Sequence, residues 1–203
     1  MKLFYTPNSP YARIARIAAY EASLDERLEY VVVEVRSLDS PLLAYSPVCR
    51  VPTLVDGELV LGEARNICAY FDVLVGAPKL VPTRDTDQWT YRSDESMVVG
   101  FLDGVAVWVR ELRRPTAQQS KFLLGVEEAR ATRCLDLFER RCRTNAIAFE
   151  AWHFTEIALA CALGLIDHSL SSFSWRASNP ALAAWFATRS DLPSMQATMP
   201  LDG

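Results

Sequence analysis

Through the first third of the chain, apolar positions switch between the two-residue period of a strand and the three-to-four-residue period of a helix. Lys2–Tyr5 reads as a short strand. Pro10–Glu21 puts Tyr11, Ile14, Ile17 and Ala18 on one helical face. The valine-rich run Leu28–Val35 reads as a buried strand. Thr53–Asp56 and Glu58–Leu61 flank Asp56-Gly57, a pair that favours a tight hairpin. Glu63–Val75 returns to helical spacing and stops at Gly76, a residue suited to the left-handed conformation at a helix C-terminus. The predicted order is β-α-β, a hairpin, then α.

Gly76 to Pro82 then packs two prolines and a glycine into a short stretch, and the strand signals cease. Asp85–Arg113 and Thr116–Arg143, separated by Pro115, read as long amphipathic helices. Phe154–His168 is apolar on every side, as a fully buried helix is. Asn179-Pro180 opens a last helix with proline at its first position. The expected division is an α/β domain at 1–76, a linker at 77–87 and an all-helical domain at 88–203. His153-Phe154-Thr155-Glu156 has the acid of a capping box, but His153 is a poor N-cap, so a weak helix start and a less stable second domain are expected. His168, in the last turn of that helix, suits the macrodipole.

The net charge of −4, without a basic arm, argues against nucleic acid as the main partner. No apolar run reaches the roughly 18 residues of a membrane span. The opening MKLFYTP lacks a signal-peptide core, and a cytoplasmic location is expected. Five cysteines without a C-x-x-C pair, and two histidines, assemble no zinc pattern. Cys68, Cys134 and Cys161 read as small core hydrophobes. Cys49 lies beside Arg50, whose charge favours a thiolate, yet it is not at a helix N-terminus.

Three separated stretches carry candidate chemistry. Ser9-Pro10-Tyr11-Ala12 sits where the first strand turns into the first helix, the place where glutaredoxins carry Cys-Pro-Tyr-Cys. Arg50-Val51-Pro52-Thr53-Leu54 immediately precedes a strand, and Glu63-Ala64-Arg65-Asn66-Ile67 opens a helix. With the all-helical second half, their order and spacing resemble the cytosolic glutathione transferase superfamily over the whole chain. Leu102-Asp103-Gly104, Val109-Arg110-Glu111 and Arg114 to Ser120 resemble, more narrowly, its YibF-type bacterial members. The resemblance implies a thioredoxin-like α/β domain followed by an all-α domain. It also implies glutathione as cosubstrate, no metal, a small electrophile as second substrate, a homodimer and a part in detoxification.

It implies roles for particular residues as well. Pro52 is expected to be cis, leaving the N–H and C=O of Val51 to pair with the tripeptide; a plain trans proline opening an edge strand is the alternative. Glu63 is expected to take the γ-glutamyl amine, although an acid in a first helical turn also suits the macrodipole. Ala64 stands where the family usually has serine, so only its backbone N–H is left for the γ-glutamyl carboxylate. Arg50 is expected at the glycine carboxylate, or as a solvated loop residue. Ser9 is expected to donate to the glutathione thiolate, with helix capping as the competing role. Tyr5 is the rival donor, and Asn8 helps orient the site. Tyr11, Trp108, Arg110 and Arg113 are expected to line a cleft between the domains for the second substrate. Apolar and basic side chains together favour a hydrophobic electrophile with an acidic group. Two other readings stay open: a non-catalytic glutathione-binding or protein-interaction module, and a reductase dependent on Cys49.

Overall fold

The computed structural model describes residues 1–76, 80–82, 88–144 and 152–201. The chain divides into two compact units, Met1–Asp85 with Pro193–Gly203, and Thr86–Leu192. Residues 193–203, expected in the helical domain, thus group with the α/β unit. Of the expected linker at 77–87, residues 77–79 and 83–87 lie outside the described residues. Leu80 and Val81 within it are buried rather than free.

In the first unit, β1 (Lys2–Tyr5) leads into α1 (Pro10–Glu21), then β2 (Glu29–Val32), β3 (Thr53–Asp56), β4 (Leu59–Gly62) and α2 (Ala64–Val75). The strand order is β2-β1-β3-β4. β2 runs parallel to β1, while β3 is antiparallel to both β1 and β4. A parallel pair needs a crossover, and α1 supplies it. Ser9 caps α1 by accepting the Ala12 N–H at 3.2 Å, and Pro10 occupies the first helical position. Gly57 at φ 60° and Gly76 at φ 69° take the left-handed conformations the hairpin and the end of α2 require. Phe4, Val33, Leu42 and Val55 fill one side of the sheet. Leu3 and Leu54, paired in register and buried, lie on the opposite side, where Arg16 of α1 covers Tyr5.

One strand departs from expectation. The run 28–35 was predicted as a buried strand, whereas β2 is the short edge strand Glu29–Val32, with Glu29, Tyr30 and Val32 exposed. An edge strand has a neighbour on one side only, and valine content does not distinguish that position from a central one.

The second unit consists of α3 (Gln88–Leu112), α4 (Lys121–Arg143), α5 (Phe154–Ser169), a single turn α6 (Trp175–Ser178) and α7 (Pro180–Ser190). Another short helix, α8 (Pro193–Ala197), belongs to the first unit. Helix α5 is buried on nearly all sides, as its composition predicts. The stretch 109–120 is the α3–α4 corner. Glu111 accepts the Ser120 N–H at 2.6 Å, Gln119 donates to the Leu112 and Arg114 carbonyls, and Ser120 caps α4. Buried Glu139 of α4 accepts the Leu182 N–H at 2.8 Å in the first turn of α7 and pairs with Arg143. Burial pushes its carboxyl up, but the N–H groups of Leu182 and Ala181, with Arg143, outweigh it and hold the group below the usual range.

His153 proves a workable helix start. Glu156 accepts the His153 N–H at 3.1 Å, and His153 completes a capping box. The acid is buried, and burial pushes it up to about 7; its hydrogen bonds to the backbone and the charge of Arg189 pull it down, and the charge of Asp94 pushes it up. A carboxyl raised in the folded state stabilises fully below its unfolded value, and that contribution is lost as pH rises through about 7. A shift of this size corresponds to about 3 kcal/mol. Denaturant unfolding at successive pH values should therefore show stability falling between about pH 4.5 and 7. Glu156→Gln keeps an oxygen for His153 and should flatten that slope.

Candidate active site

The β-sheet register brings the three sequence stretches to one end of the first unit. Phe4 pairs with Thr53, so the residues after β1 run beside those before β3. Thr53 also pairs with Gly62, which places Glu63 and Ala64 at that same end. The turn leading to Ser9, the Val51-Pro52 corner and the start of α2 thus converge, and α1 and α2 both begin there.

Ser9 closes a turn in which its N–H donates to the Thr6 carbonyl at 3.1 Å, with Pro7 and Asn8 between. Proline suits the second position of such a turn. The Ser9 hydroxyl accepts from Ala12, and no described residue accepts its hydrogen. A hydroxyl has two lone pairs and one donor, so capping leaves the donor for a ligand. The capping and ligand roles of Ser9 are therefore compatible.

Tyr5 is differently engaged. The Arg16 guanidinium lies 4.9 Å from its ring centroid, and Tyr30 meets it edge-on at 6.0 Å. Burial pushes the Tyr30 phenol up to about 12 and the Arg16 guanidinium down. Tyr5 is thus part of an aromatic and cationic cluster against α1.

The Val51–Pro52 peptide bond is cis. Among the described residues, neither the N–H nor the C=O of Val51 has a hydrogen-bond partner. Backbone groups rarely stay unpaired except where solvent or a ligand can reach them, and Val51 is half-buried. Thr53 Oγ1 donates to the Arg50 carbonyl at 2.7 Å and holds this corner, while Arg50 itself is exposed.

Glu63, the residue capping α2, has φ 65° and ψ 123°. A non-glycine residue there is strained by about 1–3 kcal/mol, and such strain concentrates at functional positions. The Glu63 side chain is exposed, whereas Ala64 is buried at the first helical position. N–H groups of a first helical turn lack partners within the helix and attract anions.

Of the remaining candidates, Tyr11 and Cys49 belong to the first unit and Trp108, Arg110 and Arg113 to the second. Tyr11 is half-buried in the first turn of α1. Trp108 is buried in the second unit, edge-on to Phe173 at 5.0 Å, and so serves as a core residue there. Arg110 is exposed and donates to the Ala106 carbonyl of its own helix at 3.0 Å; Arg113 is exposed. Cys49 is half-buried with φ 48°. Cys68 and Cys161 are buried as expected, but Cys134 is only half-buried, and burial pushes its thiol up. Among the described residues, no three metal-ligating side chains cluster and no helix is long and apolar enough to cross a membrane.

One neighbour is not legible in the sequence. The Asn8 side-chain carbonyl accepts the Leu201 N–H at 3.0 Å, a contact across 193 residues. No local pattern marks such a pairing.

Comparison with known proteins matches residues 3–79 to "Glutathione S-transferase, N-terminal domain" and 106–188 to "Glutathione S-transferase, C-terminal domain". The "Uncharacterized GST-like protein YibF" of Escherichia coli (strain K12) is 27% identical over 184 residues, covering 90% of each chain. A glutathione transferase family member from Pseudomonas fluorescens Pf-5, crystallised with bound glutathione, has a TM-score of 0.87 at 28% identity, covering 98% of each chain. A structure of a family member from the same organism with bound S-(propanoic acid)-glutathione has a TM-score of 0.84 at 28% identity, covering 99% of this chain and 100% of that one.

Proposed function

The chain belongs to the glutathione S-transferase family, and from that premise we propose that it binds glutathione on its first unit, ionises the thiol through Ser9 and adds the sulfur to a small electrophile. The carrying observation is the convergence at one end of the sheet of a Ser9 hydroxyl that caps α1 with its hydrogen still to donate, a Val51 backbone without partners among the described residues, and the strained Glu63. Val51 pairs with the tripeptide backbone, Glu63 takes the γ-glutamyl amine, the Ala64 N–H takes the γ-glutamyl carboxylate, and Arg50 faces the glycine carboxylate. Asn8 helps set the turn that carries Ser9, and Tyr5 remains the second candidate donor.

A free thiol with pKa near 8.5 is only a few per cent thiolate at neutral pH. Lowering that value by about two units takes about 2.7 kcal/mol. A hydrogen bond to a charged group supplies about 1.5–3 kcal/mol, and the N-terminus of α1 adds about 0.3–1 kcal/mol. The two together reach the required sum. The thiol proton leaves to solvent, and the sulfur lone pair forms an S–C bond with the electrophile. The displaced electrons depart with a leaving group or are protonated on carbon. In one relative the bound conjugate carries a carboxylic acid on sulfur, which favours an acidic electrophile here, with Tyr11, Arg110 and Arg113 as candidates to meet it. The protein is proposed to be a cytoplasmic homodimer acting in detoxification. The exposed Phe122 on α4, beside Val126 and between Lys121 and Arg133, suits contact with a second copy.

Ala64 favours a second reading, a module that binds glutathione weakly without reacting it. One missing hydrogen bond to a charged group costs about 1.5–3 kcal/mol, or one to two orders of magnitude in affinity. Calorimetric titration with glutathione at neutral pH, in two buffers of different ionisation enthalpy, separates the readings. Saturable, buffer-dependent heat means proton release and supports the transferase. Buffer-independent heat leaves only the binding module, and absence of heat at millimolar glutathione rejects both.

Glu63→Gly relieves the positive φ and should stabilise the protein by about 1 kcal/mol after glycine's own entropic cost. The same change should weaken glutathione binding about tenfold or more, because the amine loses its carboxylate. Thermal melts and the titration above read the two effects on one variant, and a gain in stability without loss of affinity removes Glu63 from the site.

A further inference from the structure

The segment 193–201 fastens both the turn before Ser9 and the helix after it. Arg13, buried in α1, donates from Nη2 to the Met195 carbonyl at 3.0 Å and from Nε to Thr198 Oγ1 at 3.4 Å. Arg16 reaches the Ala197 carbonyl at 3.4 Å. Ser194, fully buried, donates to Glu21 Oε1 at 2.5 Å, and the Thr198 hydroxyl donates back to the Ser194 carbonyl at 2.8 Å. These bonds anchor α8 and the residues after it along α1. Past that anchor, the Leu201 N–H meets the Asn8 side chain at 3.0 Å.

Asn8 is the inner corner of the turn that Ser9 closes onto Thr6. The Ser9 backbone therefore has the Thr6 carbonyl on one side and, through its neighbour, the Leu201 N–H on the other. Its hydroxyl direction follows from that backbone, because the rotamer is set by the bond to Ala12. The Leu201 side chain is exposed, so its contribution comes from the backbone N–H.

We infer that the C-terminal segment is a strap that positions the thiol-activating turn, with Leu201 acting through Asn8 as a positioning residue for Ser9. The inference rests on the proposal that Ser9 donates to glutathione's thiolate. A strap of this kind acts on the direction of one O–H bond, so it alters thiol ionisation more than glutathione affinity. Small misplacements of a reacting group cost up to about a hundredfold in rate. Loss of one bond three residues beyond the anchor at Thr198 is expected to be milder.

Leu201→Pro removes the N–H without loss of a buried side chain, since Leu201 is exposed; proline also fixes φ there and restricts Pro200. The test is ultraviolet titration of the thiolate in the complex of the full chain with glutathione, for wild type, Leu201→Pro, Leu201→Ala and Ser9→Ala. Leu201→Pro is expected to raise the bound thiol's pKa by about half a unit to one unit, about a three- to tenfold fall in the thiolate-to-thiol ratio. Its glutathione Kd at neutral pH should rise by only about two- to threefold, the amount linked to the lost ionisation. Leu201→Ala keeps the N–H and should restore the wild-type titration. If Ser9→Ala raises the pKa while Leu201→Pro does not, the strap is rejected and the transferase reading stands. If neither variant moves it, both are rejected. Should Leu201→Pro melt well below wild type, Asn8→Ala removes the same bond from the other side, and an unchanged titration in that variant overturns the inference.

Discussion

Ser9→Ala should raise the pKa of glutathione's bound thiol by about one to two units, toward its free value near 8.5. The lost hydrogen bond, about 1.5–3 kcal/mol, corresponds to a rise of about one to two units. The thiolate-to-thiol ratio should fall about ten- to hundredfold, and thiolate at neutral pH, with the rate of S–C bond formation, about three- to twenty-five-fold. The deficit should shrink as pH climbs past the free thiol's value, because glutathione then ionises unaided. Glutathione affinity should change far less, since its ends are held by other groups. Alanine also cannot accept the Ala12 N–H, and losing that cap costs about 1 kcal/mol of stability. Ser9→Thr separates the two effects by keeping both an acceptor and a donor. A pH–rate profile unchanged in Ser9→Ala rejects the assignment. A shift produced by Tyr5→Phe instead transfers the donor role to Tyr5, against the engagement of its ring by Arg16 and Tyr30.

Much of this architecture is written in local chemistry. Pro10, Asp56-Gly57, Gly76 and Pro180 each act through their own backbone, and the structure starts or ends an element at each. Periodicity located α3 and α4 because an apolar helical face has the same spacing whatever it packs against, and α5 stood out as an apolar run. The place of β2 at the sheet edge was hidden, since a run of valines fits an edge or a central strand alike. The candidate site was only half legible. Ser9, Val51-Pro52 and Glu63 could be picked out through resemblance to a family, but their convergence is a matter of strand register. The hold of residues 193–201 on α1 could not be read at all. Arg13 looks like any helical arginine until its partners at Met195 and Thr198 are known, more than 180 residues away.

Asp72 is a clear case of a role that sequence conceals, and Asp72→Ala should be strongly damaging to the first unit. In the helical pattern of α2 it reads as an ordinary acid. In the structure it is buried, and its carboxylate accepts the Leu80 N–H at 2.9 and 3.0 Å and the Val81 N–H at 2.7 Å. Leu80 and Val81 are themselves only 1% exposed, so water does not replace the lost acceptor. Each orphaned buried donor costs about 1–3 kcal/mol, and two together cost about 3–5 kcal/mol. That is a large fraction of the 5–15 kcal/mol typical of a folded domain. Asp72→Asn keeps one oxygen but sets an amide N–H against a backbone donor, and about 2 kcal/mol is expected. Urea unfolding at neutral pH measures both, and a loss under about 1 kcal/mol for Asp72→Ala contradicts the geometry. The consequence reaches the site as well. Asp72 ties the far end of α2 to the chain that follows, while the near end presents Glu63 and Ala64. An α2 released at Leu80 and Val81 should hold glutathione's γ-glutamyl end less firmly even in molecules that remain folded.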